Sequence, residues 1–483
     1  MAEARRPTVA VIGGGLSGLA AALALAGRAD VHLFEADARL GGKLATASVR
    51  GRPVDLGPDA FVTRQPALEA LCRRLGLGDS LHAPATSGAA VLARGRLRPL
   101  PAGLALGVPT DLVAVARSGI VSPAGCARAL ADLVLPGRLV PPDPVATARA
   151  GGPDPTIAEV VGARLGGEVL ASLVDPLVGG INAGDARDLS LAATAPHLAE
   201  AAAGRRSLLR ALRALTAHPA AHGAPAFLGL AGGMAELVGR LEEELAAAGV
   251  AATTGAEVEA LRRARDGRRL EVDGGLVVDG AVVALPAFAA ARLLASLDER
   301  LAEDLAQVAY AGVATVTLVY DERAIPPRLS RARLDGRGAV LPGSGVLVPR
   351  SSGRLVTAVT FTSTKWPRSA NPGEVVLRCS AGRAGDTRAL ELDDGRLAAA
   401  VRAELALLLG LEAAPLEVLV KRFPAAFPQY RSGHLALVAR LRRRCEALGG
   451  LALCGAAYDG IGMPACVASG EAAADRVLAA VTG

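Results

Sequence analysis

The chain has 483 residues, room for two or three domains, and a net charge of +6 with a pI near 9.3. Charged residues make up 21% and apolar ones 51%, which excludes a disordered chain and allows a large core. Nearly all the positive charge is arginine, since lysine occurs only at Lys43, Lys365 and Lys421, a skew that reads as codon bias toward Ala, Gly and Arg. Arginines are scattered, with one cluster at Arg440, Arg442, Arg443 and Arg444, and aromatics are 2%, so nucleic-acid binding is not expected. The surplus suits a small anionic ligand or a membrane surface better.

At the N-terminal end, Arg5 and Arg6 precede an apolar run that glycines interrupt, so it is not read as a signal peptide. No window of eighteen uninterrupted apolar residues predicts a membrane span. Residues 8–12 read as a buried parallel strand, 16–27 as a helix and 30–35 as the next strand, one βαβ unit. Between strand and helix stands Gly13-Gly14-Gly15-Leu16-Ser17-Gly18, a GxGxxG turn, and Glu35 closes the second strand. Gly13 permits the tight turn, Gly15 the close approach of a pyrophosphate, and Gly18 the packing of helix on sheet. The amides of Leu16 and Ser17 open a helix whose positive end faces an anion. A carboxylate at Glu35 suits ribose hydroxyls and argues against a 2′-phosphate.

From 86 to 227 strand signals thin, and Ala/Leu/Arg segments near 123–135, 156–178 and 190–216 carry helical periodicity, punctuated by Pro and Gly. Alternation returns at 268–285, with further strands at 313–320, 345–349 and 354–361, a helix over 395–410, and a closing strand, glycine turn and helix beyond 451. The cysteines at 72, 126, 379, 445, 454 and 466 form no CxxC pair, and no metal site is expected. The turn Gly460-Ile461-Gly462-Met463 lets backbone approach a planar ligand before a helix starting near Ala465.

Several stretches carry a resemblance. Glu35-Ala36-Asp37-Ala38-Arg39-Leu40-Gly41-Gly42-Lys43 resembles the extension that amine-oxidase-like flavoproteins add to GxGxxG. Val54 to Phe61, with Gly57-Pro58-Asp59, then Pro99 to Gly103, Asp175 to Gly184 followed by Leu189-Ser190, and Phe361 to Pro367 are similar, in order, to blocks of the protoporphyrinogen/coproporphyrinogen III oxidases. Pro428-Gln429-Tyr430 with Gly433-His434, and Gly455 to Gly470, are the most specific of these matches, which span essentially the whole chain. The family resembled has members of a coproporphyrinogen-oxidising branch in Gram-positive bacteria, and the FTSTKWP block (361–367) and INAG (181–184) favour that branch.

The resemblance implies an α/β (α+β overall) molecule: a Rossmann-like FAD-binding domain from 1–85, 228–290 and 445–483, a mixed-sheet substrate domain at 291–444 and a helical insertion at 86–227. It implies noncovalent FAD held by Gly13, Gly15, Leu16, Ser17, Gly18, Glu35, Arg39, Gly41, Gly42, Lys43, Gly57, Pro58, Asp59, Val258, Gly455, Gly460, Ile461, Gly462 and Met463. Arg39 and the Gly41-Gly42 pair continue the diphosphate contact, and Val258 lies on the adenine side. The activity implied is six-electron oxidation of coproporphyrinogen III with molecular oxygen as acceptor in haem biosynthesis, in the cytoplasm, with peripheral membrane contact and hand-over to a ferrochelatase as further expectations. No side chain is singled out as a catalytic base, because aromatisation drives proton loss. Lys365, Arg350, Arg431 and Lys43 are candidates for substrate propionates, each Arg being alternatively a solvated charge. Tyr430 and His434 are candidates for the pocket wall, His434 alternatively a structural residue. Asn182 is a candidate cavity residue or helix cap, and Leu347 keeps an aliphatic pocket position. Relatives carry a basic residue where Ala89 stands and an aromatic near Ser344. Protoporphyrinogen oxidation is the nearest alternative; amine oxidation, carotenoid desaturation and flavin binding without turnover are the others.

Overall fold

Alternation along Thr8–Ile12 sends Val9 and Val11 to one side of a sheet and Ala10 and Ile12 to the other, and each pair joins a different buried cluster. A strand buried on both faces belongs in a parallel sheet covered twice. The computed structural model shows this arrangement; it describes residues 5–483 apart from 87, 106, 138, 217–224, 330 and 333–338. Five parallel strands run in the order Ala251–Thr254, Asp30–Glu35, Thr8–Ile12, Gly280–Val283, Leu451–Leu453. The helices Leu16–Leu25 and Met463–Thr482 cover one face with Leu19, Leu25, Val467 and Val477. A three-stranded meander, Leu261–Arg263, Leu270–Val272 and Leu276–Val278, covers the other. Residues far apart in sequence therefore meet at the carboxyl ends of the strands, where α/β sheets bind ligands.

The second sheet has seven strands in the order Glu417–Pro428, Tyr310–Asp321, Glu374–Ala381, Val356–Phe361, Gly345–Leu347, Ala90–Ala93, Arg96–Pro99. It is mixed: Gly345–Leu347 pairs parallel with Ala90–Ala93, and its other pairings are antiparallel. The strands Ala90–Ala93 and Arg96–Pro99 fall inside the stretch expected to be a helical insertion. They form a hairpin because Arg94 (φ 52) and Gly95 (φ 73) adopt the left-handed pair of a tight two-residue turn. Helical character starts beyond them, at Leu112–Ser118. The expected helix over 156–178 is broken. Ile157–Leu165 stops at Gly166 (φ 90), and the chain resumes through Gly167–Val169 and a π turn at Leu170–Val174 into Asp175–Asn182.

Candidate functional site

The glycine turn is built as its spacing requires. Gly13 has φ +106 and donates its N–H to Phe34 O at 2.8 Å; a Cβ there would meet Ala284 O at 2.8 Å. A Cβ on Gly18 would lie 1.8 Å from Gly13 O. At Gly15 a Cβ would meet nothing within 4 Å, so the turn opens on that side to free space. Gly15 is also the N-cap of Leu16–Leu25 and offers no side chain to the helix N–H groups. Glu35 sits at the edge of this space, its carboxylate accepting from Gly14 N (2.7 Å) and Asp37 N (2.8 Å). Val258 is half-buried beside it, where Ala256 N donates to Glu35 O at 2.9 Å.

The loop after Glu35 folds back over the turn. Gly41 N donates to Gly14 O at 2.8 Å, and Gly41 and Gly42 have φ +96 and +56. The Arg39 guanidinium donates to Leu40 O, Gly42 O and Leu44 O at 3.1, 2.6 and 3.0 Å. It shapes the loop from within, as backbone carbonyls of a tight loop are the nearest acceptors. Lys43 combines an exposed side chain with an ammonium pKa that burial pushes down. Lys43 is thus open to solvent while protein surrounds its ammonium closely enough to disfavour the charge. Gly57 closes on this segment, since a Cβ would come 2.2 Å from Lys43 O.

A second helix packs against the first, and Cys466 in its first turn interacts with Ser17 and Lys43. Gly462 caps Met463–Thr482, again with no side-chain hydrogen bond, so the helix starts two residues before the expected Ala465. The two helices touch backbone to backbone: a Cβ on Gly470 would stand 2.2 Å from Ser17 O. Met463 is 8% exposed and belongs to the core, so only its backbone is available to a ligand. The turn before it is tied by Gly455 N to Ser469 Oγ (3.0 Å), Ser469 Oγ to Asp459 (2.6 Å) and Gly460 N to Tyr430 Oη (2.9 Å). Gly455 and Gly460 have φ +122 and +130, and Ile461 is half-buried. Cys466, which sequence reasoning passed over, lies between these parts, its thiol pushed up to about 11 by burial against the opposing pull of Ser17 and Lys43. Its only signal in the sequence was its place three residues into a glycine-led helix.

The open space at Gly15, the uncapped helix ends at Gly15 and Gly462, the Lys43 ammonium and the Glu35 carboxylate fit a dinucleotide: two positive helix ends for a diphosphate and an acceptor for ribose hydroxyls.

The substrate-side candidates separate. Lys365 is not free: Nζ lies 3.0 Å from both oxygens of Asp59, which also accepts from Trp366 Nε1 at 2.9 Å, with Arg378 at 3.6 Å. Burial alone would raise the Asp59 carboxyl, but Arg378, Lys365 and the indole outweigh it and hold it well below its usual value. The Asp59 side chain, expected at the cofactor, is the anion of this buried cluster, where Arg378, Lys365 and the Trp366 indole compensate its charge. Arg350 is spent on Ala384 O (3.0 Å), Gly184 O (3.2 Å) and Asp185 (3.5 Å). Asn182 ends its helix with Nδ2 donating to Val178 O at 3.2 Å, and its own carbonyl accepts from Gln429 Nε2 at 3.0 Å. Leu347 is half-buried against the same helix, 3.2 Å from where a Gly180 Cβ would stand. Arg431 is exposed, and its side chain makes no hydrogen bond or ion pair among the described residues. Tyr430 and His434 are buried and stacked, centroids 4.1 Å apart. Burial pushes the His434 imidazole down to about 4, against a backbone hydrogen bond with Ala457. Both are structural to the turn rather than a wall.

The model of the flavin containing amine oxidoreductases matches residues 16–478. The chain belongs to this family. Among curated members it is 30% identical to a Bacillus subtilis coproporphyrinogen III oxidase, over 97% of each chain. It is 35% identical to a Mycobacterium tuberculosis coproporphyrinogen III oxidase, over 98% of this chain and 97% of that one. A crystal structure of an Exiguobacterium protein, provisionally assigned as a protoporphyrinogen oxidase, superposes with a TM-score of 0.83 at 30% identity, covering 99% of this chain and 100% of that one. Cyclohexylamine oxidase of Brevibacterium oxydans shares the fold, with a TM-score of 0.67 at 17% identity. A flavin is therefore the cofactor of this family member.

Proposed function

We propose that this protein is an FAD-dependent coproporphyrinogen III oxidase that forms coproporphyrin III. The observation that carries the reading is the open side of Gly15 at one uncapped helix end, with a second uncapped helix end at Gly462 whose Cys466 lies by Ser17 and Lys43, in a chain aligned end to end with coproporphyrinogen III oxidases. Gly15, Ser17, Lys43 and the 460–463 turn hold the diphosphate and ring side, Glu35 the ribose and Val258 the adenine side. The FAD-binding domain is assembled from 1–85, 228–290 and 445–483, with 291–444 joined by the 90–99 hairpin as the substrate sheet.

FAD supplies a two-electron acceptor, and three rounds remove the six electrons that separate a porphyrinogen from a porphyrin. The chain's residues orient and exclude water; protons leave the pyrrole nitrogens as the ring becomes aromatic, so no side-chain base is required. Molecular oxygen is the terminal acceptor and hydrogen peroxide the by-product. The cofactor is noncovalent: Cys445 and Cys454 are buried in the core, and burial holds the Cys466 thiol protonated. With Lys365 and Arg350 engaged elsewhere, Arg431 is the cation for a propionate.

No helix among the described residues is long and apolar enough to cross a membrane. Peripheral contact from the cytoplasm is supported by Val113, Leu130, Val134 and Leu139, exposed by 57, 51, 82 and 41% on the helical segment. The oxidised product is then passed to a ferrochelatase.

Anaerobic mixing tests the reading. Coproporphyrinogen III should bleach the flavin, and acid precipitation should leave FAD in the supernatant. Protoporphyrinogen IX is the rival substrate, favoured by 30% identity to bovine protoporphyrinogen oxidase over 98% of each chain. A higher kcat/KM for protoporphyrinogen would assign the protein to that reading.

A further inference from the structure

The segment Gln429–His434 touches both sides of the site. Toward the helical segment, Tyr430 O accepts from Ser190 N at 2.8 Å, and Gly433 N and Ser432 Oγ each donate to Asp154 at 2.8 Å. Asp154 in turn accepts from Ser190 Oγ at 2.5 Å. Gln429 Nε2 reaches Asn182 O at 3.0 Å, at the end of the helix that faces Leu347. Toward the glycine turn, the Tyr430 hydroxyl donates to Ala456 O at 2.5 Å and accepts from Gly460 N at 2.9 Å. One phenol thus bridges a carbonyl and an amide four residues apart in a turn whose Gly460 is held at φ +130.

We infer that Tyr430 is a positioning residue for the cofactor: its hydroxyl sets the backbone of Gly460–Met463, and the ladder to Asp154 and Ser190 ties that setting to the substrate-side helices. Three features make the hydroxyl, rather than the ring, the working part. It is buried, and burial pushes its pKa up, so it stays a neutral donor and acceptor at any physiological pH. The ring is held independently by its stack on His434. The Gly460 amide, unable to point elsewhere while the phenol accepts from it, leaves the next amides of an uncapped helix end facing the cleft. The inference rests on the FAD reading proposed above.

Tyr430→Phe removes both hydrogen bonds and keeps the ring. Wild-type holoprotein carrying FAD tests the proposed function; the variant tests this inference. The variant should bind FAD about tenfold more weakly, with a shifted visible flavin band and reduction potential, and kcat should fall more than KM rises. Amide exchange at Gly460 in the apoprotein should quicken. Incorporation of 3,5-difluorotyrosine, which makes the hydroxyl a stronger donor and a weaker acceptor, should move the flavin band without altering the fold, and serves if Tyr430→Phe does not accumulate. Unchanged FAD affinity, band and potential in the variant, or an unchanged band with difluorotyrosine, overturns the assignment.

Discussion

At the scale of single residues, the charges divide into those that build and those that face a ligand. Lys365 builds: replacing it with Ala leaves Asp59 buried with Arg378 at 3.6 Å and one indole donor, and should cost about 3 kcal/mol of stability in urea denaturation, with little change in substrate preference. Asp59 has a depressed folded pKa, so its contribution is present above the unfolded value of about 3.9 and is lost as pH falls below it. Arg431 faces outward; Arg431→Ala should raise KM for coproporphyrinogen about tenfold and leave thermal stability unchanged. Glu35→Ala should weaken FAD binding by about 1–3 kcal/mol in a reconstitution titration, since it removes a charge-assisted acceptor. The roles of Gly13 and Gly18 in the turn, and the place of Glu35 at the end of the second strand, were legible in the sequence because backbone sterics and a fixed βαβ spacing dictate them. The fates of Lys365, Arg350 and Arg39 were not: a cation's partner is set by which carboxylate or carbonyl the fold brings near. The arginine cluster of 440–444 shows the same. Arg440, Arg442 and Arg444 pair with Asp304, Asp459 and Asp298, so the cluster is no basic patch.

Elements follow their local chemistry where no distant partner intervenes. The first βαβ unit, the 270–283 strands and the 394–409 helix stand where periodicity places them. Glu417–Pro428 escaped notice because Pro424 and Pro428 read as strand breakers; it is an edge strand, where a missing N–H costs no ladder bond. Glu374–Ala381 escaped because Arg378 interrupts an apolar run, yet that arginine is buried to hold Asp55 O and Gly57 O, both at 2.7 Å. The hairpin turn at Arg94-Gly95 places a long side chain at φ 52, where Asn is preferred. Arg94→Asn should therefore raise stability by about 0.5 kcal/mol, within the range of compatible turn substitutions and readable as a higher denaturation midpoint. The helix His434–Leu448 begins with a buried neutral imidazole. Its folded pKa of about 4 lies below the unfolded 6.5, so the unfolded chain binds the proton first. Stability should be full above pH 6.5 and fall by roughly 3 kcal/mol as pH drops to 4, a slope that His434→Phe should flatten in a series of thermal melts.

At the scale of the whole molecule, the proposed cofactor cleft draws on pieces from opposite parts of the chain, and removing FAD should lower the melting temperature. At a free concentration one hundred times Kd the ligand adds about 2.7 kcal/mol, and a scan with added FAD should restore the loss. The five-stranded sheet has a consequence for synthesis as well as for stability. Thr8–Ile12 and Asp30–Glu35 leave the ribosome early, but their parallel neighbours Ala251–Thr254, Gly280–Val283 and Leu451–Leu453 follow hundreds of residues later. During translation at about 5–20 residues per second, the glycine turn waits tens of seconds for the helix that packs against it. A nascent chain paused before residue 451 has one of the two helix ends and half a cleft. It should pass to chaperones rather than capture FAD, so loading of the cofactor is a post-translational event and doubles as a readout that the chain has been made through to its last strand.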